Sequence, residues 1–291
     1  MGLLANAALV AGVAVAAMQA PAVASPHPTT QAIHVPCSTP ALASAITTAN
    51  LSPAILKLAP NCSYNLTTAL PLITGRITLK GTANTAIKRD PGAVALRILE
   101  VSPAGNLTVE DLFILNGQLG STDGAGIRNE GNLYLRRVTV SGNQTSTGSG
   151  GGLYNLGRAT IRNSLFTTNL TLTGNGAGIY NNGDLHIIDS AVAGNVLNNH
   201  GGGIYTAAGR TSKVVRTAVN GNLSATQAGG GIASAGITTL DNSWVRLNKS
   251  ILAGGGVVVL PGGVVTLHRS GVRDNSPTNC APVNTVQGCV N

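Results

Sequence analysis

Gly124-Ala125-Gly126-Ile127, Gly150-Gly151-Gly152-Leu153 and Gly176-Ala177-Gly178-Ile179 open a series that decides the fold. It continues through Gly201-Gly202-Gly203-Ile204, Gly229-Gly230-Gly231-Ile232 and Gly254-Gly255-Gly256-Val257. The first glycines are spaced by 26, 26, 25, 28 and 25 residues, and a fixed period of that size marks a solenoid of stacked units. A second marker keeps the same step. Val140, Phe166, Val192, Val219, Val245 and Val272 each stand three positions before an asparagine, at Asn143, Asn169, Asn195, Asn222, Asn248 and Asn275.

Between the markers the chain alternates apolar and polar residues, as in Leu133-Tyr134-Leu135, Ala159-Thr160-Ile161 and Leu185-His186-Ile187. That is strand periodicity. About three short strands per unit, stacked at constant period, describe a parallel β-helix with coils about 4.8 Å apart. Equivalent residues then form ladders. Ile127, Leu153, Ile179, Ile204, Ile232 and Val257 make one inward column, and Val140 to Val272 make another. Ser164, Ser190, Thr217, Ser243 and Ser270 form a hydroxyl ladder, and the asparagines form an amide ladder at a corner. Less regular coils precede Gly124, at Ala54–Leu58, Arg76–Leu79, Leu96–Val101 and Leu107–Leu115.

The expected class is all-β: a single-stranded parallel β-helix of about 26 residues per coil over residues 53–276, with a short N-terminal capping helix. That helix falls in residues 25–52, where Thr39-Pro40-Ala41-Leu42-Ala43-Ser44-Ala45-Ile46 combines an N-cap, an early proline and one apolar face. It would cover a solenoid end whose edges otherwise invite aggregation. Residues 277–291 read as a C-terminal tail closed by a disulfide.

Composition sets further bounds. The chain has 291 residues, 43% apolar and only 10% charged, with a formal net charge of +8. Enough apolar surface is present to bury a core, and a basic balance favours acidic partners. Met1–Ala24 is uncharged and apolar and ends in Ala22-Val23-Ala24, which reads as a secretory signal peptide lacking a basic start. Export then favours disulfides, assigned as Cys37 with Cys62 and Cys280 with Cys289, although four cysteines allow three pairings. No C-x-x-C spacing or histidine cluster calls for a metal, and no cofactor motif is present; the glycines lack the Lys-Ser/Thr of a phosphate loop.

The pairing of Gly-Gly-x-Ile/Leu with Phe/Val-x-x-Asn resembles the repeats of polymorphic outer membrane proteins, and of secreted right-handed parallel β-helix proteins with the pectin-lyase-like fold. The resemblance covers roughly residues 101–275 and implies a right-handed coil. It implies little about chemistry, because that superfold hosts lyases, hydrolases, adhesins and phage proteins. Pectate lyases of this fold hold calcium with several aspartates, and polygalacturonases use clustered aspartates with a Gly-His-Gly element. Here His200 follows Asn199, and among ten acidic residues only Glu110 and Asp111 adjoin, so neither catalytic set carries over.

Alternation sends Tyr134, Arg136, Arg158, Arg162 and His186 outward from the second strand. These are the candidate ligand-binding residues for an acidic polysaccharide or cell-wall polymer, because guanidinium groups pair with carboxylates and sulfates. A solvated basic surface is the competing reading. Arg128, Tyr154, Tyr180 and Tyr205 form a second outward column, either a sugar platform or a self-stabilising aromatic ladder. Trp244, outward beside Leu165, Ala191 and Ala218, marks a packed surface or a small apolar contact site, and Asp241 with His268 falls on successive coils. The function expected is that of a secreted, monomeric binder. One alternative is a polysaccharide lyase or glycoside hydrolase with Tyr134 and His186 as acid and base and Arg136 and Arg162 neutralising a uronate. Another is a structural or adhesive surface protein. Five lysines and no single-strand stacking module disfavour nucleic acid, and no span remains once the signal is removed.

Overall fold

In a computed structural model, which describes residues 31–291, the chain is a parallel β-solenoid with one helix. The signal segment lies outside the described residues. Four sheets run along the solenoid, of ten, nine, eight and six strands, and successive strands in each come from successive coils. One central coil shows the plan. Leu153–Asn155 belongs to the eight-stranded sheet, Arg158–Arg162 to the ten-stranded, Leu165–Thr167 to the nine-stranded, and Leu170–Thr171 to the six-stranded. The fourth strand is a difference from the three expected. At two residues it is too short to show alternation, and its burial does not follow polarity: Leu170, Val196 and Leu223 face outward while Thr171, Leu197 and Ser224 are buried.

Left-handed residues shape the coil at three corners. Between the ten- and nine-stranded sheets they are Asp111, Arg137, Asn163, Asp189, Arg216, Asn242 and Arg269; between the nine- and six-stranded sheets, Asn116, Gly142, Thr168, Gly194, Gly221, Leu247 and Asp274. The first glycine of each triplet supplies the third corner, as at Gly150 with φ of 66°. The last glycine of the triplet serves close approach instead. A Cβ on Gly152 would lie 2.5 Å from the carbonyl oxygen of Gly178 in the next coil, so a side chain would force the coils apart.

The predicted inward columns are the core. Ile127, Leu153, Ile179, Ile204, Ile232 and Val257 are fully buried, as are Val140, Phe166, Val192, Val219 and Val245. Each such side chain contributes about 1.5–3 kcal/mol relative to exposure. At the corner the asparagines hold the register. Asn169 Nδ2 donates to Asn195 Oδ1 at 2.9 Å and to the Val140 carbonyl at 3.1 Å, and the Asn169 backbone N–H also donates to Asn195 Oδ1. The pattern repeats from Asn143 to Asn275, so buried amides are satisfied coil by coil. The hydroxyl ladder bonds to backbone rather than to itself: Ser190 Oγ accepts from the Ser164 N–H and donates to the Ile188 carbonyl.

Both ends reach further than expected. Gln31–Val35 is a strand, paired with Ala54–Leu58 at the edge of the ten-stranded sheet, and Cys280–Ala281 extends the eight-stranded sheet beyond residue 276. The helix spans Thr39–Ala49 with Ser38, not Thr39, as its N-cap, and it buries Leu42, Ile46 and Ala49 against the first coils. Cys37–Cys62 ties its approach to the solenoid, and Cys280–Cys289 closes the tail, where Val286 is buried in the core. Two disulfides point to an oxidising compartment. No helix among the described residues is long and apolar enough to cross a membrane.

Candidate functional site

The ten-stranded sheet presents the longest exposed face, about 43 Å from first strand to last at the usual strand spacing. Strand register stacks its outward side chains in columns. One runs Thr108, Tyr134, Thr160, His186, Lys213, Thr239, and its neighbour runs Lys57, Lys80, Glu110, Arg136, Arg162, Ile188. Arg136 and Arg162 are therefore direct neighbours, as the period implies. Tyr134 and His186 are not: Thr160 stands between them, two strand spacings apart, roughly 10 Å.

Carboxylates one coil away claim most of the arginines. Arg136 grips Glu110 with both Nε and Nη2, at 3.0 and 2.7 Å, and this contact raises its pKa. Arg158 meets Asp184 at 3.2 Å. Arg128 pairs with Glu130 and more loosely with Glu100 at 3.9 Å. At the adjoining corner Arg137 holds Asp111, and Arg216 holds Asp189 with contacts of 2.6 and 2.8 Å. The hydrogen bond from Arg137 is the main cause keeping Asp111 below the usual aspartate range, and that from Arg216 does the same for Asp189. These pairs are the ones the sequence reading missed, although opposite charges 26 or 27 residues apart were the signal for all but those of Arg128.

What remains is a smaller set. Of the candidate arginines only Arg162 has no carboxylate within the 4 Å ion-pair distance among the described residues; it is exposed, as are His186 and Lys213 on the next two strands. A shallow depression lined by His186, Thr211, Lys213, Ile237 and Thr239 lies along this stretch. Lys57, Arg76 and Lys80 extend the same sheet face toward the N-terminus, also exposed and, among the described residues, without a carboxylate at ion-pair distance.

The tyrosines stack on one another. Ring centroids are 4.9 Å apart for Tyr154 and Tyr180 and 5.0 Å for Tyr180 and Tyr205, with planes within 10°. Both faces of Tyr180 are thereby covered, and a sugar finds ring edges and hydroxyls there rather than an open platform. Burial pushes the Tyr180 phenol up to about 12, with the neighbouring tyrosines adding to the shift. Beneath this column runs a polar ladder that the sequence reading did not identify. Asn129, Asn155 and Asn181 are fully buried; Asn129 donates to Asn155 at 2.7 Å and Asn155 to Asn181 at 2.8 Å. Thr206, Ser212, Thr238 and Ser234 continue it with hydroxyl contacts of 2.8–2.9 Å. The repeated Asn-x-Gly at 129, 155 and 181 was its sequence signal.

Asp241 and His268 are in register, but Asp241 bonds to Asn242 and lies 3.4 Å from Arg269. No group of three or more His, Cys, Asp or Glu suited to a metal occurs among the described residues. No known protein family's sequence model matches the chain, and no curated protein matches it.

Proposed function

We propose that the protein is an exported β-solenoid that binds an anionic polymer, such as an acidic polysaccharide, along the outer face of its ten-stranded sheet. One observation carries the reading: among the described residues Lys57, Arg76, Lys80, Arg162 and Lys213 project from that face without a carboxylate at ion-pair distance, while Arg136 and Arg158 on the same face are paired with Glu110 and Asp184. Lys57 and Lys80 lie on adjacent strands and Arg162 and Lys213 two strands apart, with His186 on the strand between them, and a stiff scaffold loses little entropy on meeting an extended chain of charges. Hydroxyls of Thr78, Thr108, Thr160 and Thr239 interleave with them and suit a hydroxylated ligand.

The pairing of Arg136 narrows the contact set to Arg162, His186 and Lys213, with the lysines of the first coils extending it. Binding of polygalacturonate or dextran sulfate, but not neutral dextran, is expected to weaken steeply with salt. Arg162→Ala with Lys213→Ala should weaken it on the order of tenfold, since each lost charge contact removes about 0.5–1 kcal/mol. Equal binding by this double variant, or salt-insensitive binding, contradicts the proposal. Release of unsaturated ends or new reducing ends from the same polymer would replace it with catalysis.

A further inference from the structure

The coil from Ile237 to Val259 departs from the repeat on its outside. In Trp244-Val245-Arg246-Leu247-Asn248-Lys249-Ser250-Ile251-Leu252 only Val245, Asn248 and Ser250 are buried. The other six residues project: Trp244 is 45% exposed, Leu247 63%, Ile251 64% and Leu252 49%. One coil earlier the same positions hold Ala218, Asn220, Gly221, Leu223, Ala225 and Thr226. At four of the six positions a small or polar residue has thus given way to a large apolar one, Trp244, Leu247, Ile251 and Leu252, and at the other two a cation stands in place of Asn220 and Leu223.

Leu247 makes the point most sharply. It occupies the corner where three other coils place glycine, at φ of 56°, a left-handed conformation that disfavours a residue carrying a side chain. The cost is borne by a side chain that then points into solvent. Trp244 is likewise held out: its indole lies over Gly271, where a Cβ would collide with the ring, and Arg273 stacks on it at 4.7 Å. Among the described residues Arg246 and Lys249 have no carboxylate at ion-pair distance, and Asp274, the acidic group beside them on this rim, lies 3.8 Å from Arg273.

We infer that this rim is a membrane-surface contact, inserting Trp244, Leu247, Ile251 and Leu252 at the interface of an anionic bilayer while Arg246 and Lys249 meet its headgroups. Aliphatic and indole side chains gain by leaving water only if the partner offers an apolar layer, which a soluble polyanion lacks. Cations between them gain only if that layer is rimmed with negative charge. A two-fold contact with a second copy would oppose the same cations to one another. The inference stands apart from the polymer reading, because it uses other residues on other sheets.

Trp244 is the only tryptophan in the chain, so its emission reports this surface directly. With vesicles of phosphatidylglycerol and phosphatidylcholine, the protein is expected to sediment and its emission to shift to shorter wavelength; with phosphatidylcholine alone, binding should fall on the order of tenfold or more. The triple variant Leu247→Gly, Ile251→Ser, Leu252→Ser changes only exposed positions and should lose about tenfold or more of the affinity, with its denaturation midpoint near that of the parent protein. Arg162→Ala with Lys213→Ala should bind vesicles unchanged. Unshifted emission, equal binding to both vesicle types, or full binding by the triple variant overturns the inference. So does a lipid-free emission shift that tracks protein concentration and sedimentation as a dimer, which would assign the rim to self-association.

Discussion

The central coils and the C-terminal coils share one backbone plan and differ in what they show to solvent. Residues 97–189 carry six Lys/Arg against seven Asp/Glu, whereas residues 190–291 carry seven against two and residues 31–96 five against one. The net charge of +8 is therefore a property of the two ends, separated by a belt in which charges are matched coil to coil. In the belt, a parallel solenoid sets equivalent positions side by side, so Glu110 pairs with Arg136 and Arg158 with Asp184 across successive coils. The C-terminal coil breaks the ladder with Trp244, Leu247 and Ile251. Repetition maintains the fold, and departure from it marks a surface with another use.

That contrast can be broken by mutation, and the largest effects should come from the belt's interior. Phe166→Ala removes a fully buried aromatic side chain from an inward column and should cost about 3–5 kcal/mol in chemical denaturation; Val272→Ala at the last coil, already 6% exposed, should cost about 1–2 kcal/mol. Equal losses would show that the ends are as tightly packed as the centre. Asn195→Ala strands donors on Asn169 and removes the Nδ2 bonds to Asn222 and the Phe166 carbonyl, for about 3 kcal/mol or more, whereas Asn275→Ala at the half-exposed end should cost about 1 kcal/mol.

Titration probes the two faces of the belt. Asp111 and Asp189 have folded pKa values below the ordinary 3.8, so the stability of their pairs is complete above that value and is lost as pH falls through the lower folded values. Acid unfolding monitored by circular dichroism should be less steep below pH 3.8 for Asp111→Asn with Asp189→Asn, and an unchanged acid limb would contradict the ladder. For Tyr180 the sign reverses. Its folded value of about 12 exceeds the ordinary 10.0, so its contribution is complete below 10 and declines as pH rises toward 12. In ultraviolet titration its phenolate should form last among the tyrosines; Tyr180→Phe should remove that late step. The smallest effect belongs to Leu247→Gly, within about 1 kcal/mol of the parent protein, because relief of the left-handed strain offsets the added chain entropy.

Most of the coil was legible because its signals are local and repeated: the glycine triplets and Val/Phe-x-x-Asn fixed the period, and alternation assigned Leu133, Ile161 and Leu185 to the interior. The paired strands Gln144–Thr145 and Leu170–Thr171 were not, since two residues carry no period and the outward leucine inverts the usual sign. The strand at Gln31–Val35 escaped for a different reason: only its pairing with Ala54–Leu58 makes it a strand. For the surface, reading outward residues one strand at a time found Arg136 above Arg162 but not the Glu110 beneath. Side-chain partners in a solenoid are a full coil away, and only the register shows which charge is spent.

The outer face of the ten-stranded sheet and the C-terminal rim are proposed as separate surfaces, and simultaneous binding tests that. Fluorescently labelled polygalacturonate is added to protein already bound to anionic vesicles, and co-sedimentation of the polymer is read together with Trp244 emission. Separate surfaces predict that the polymer sediments with the vesicles while the emission stays shifted. Release of the protein from the vesicles, with emission returning to that of the free protein as polymer is added, would show a single anion-binding surface and contradict the account.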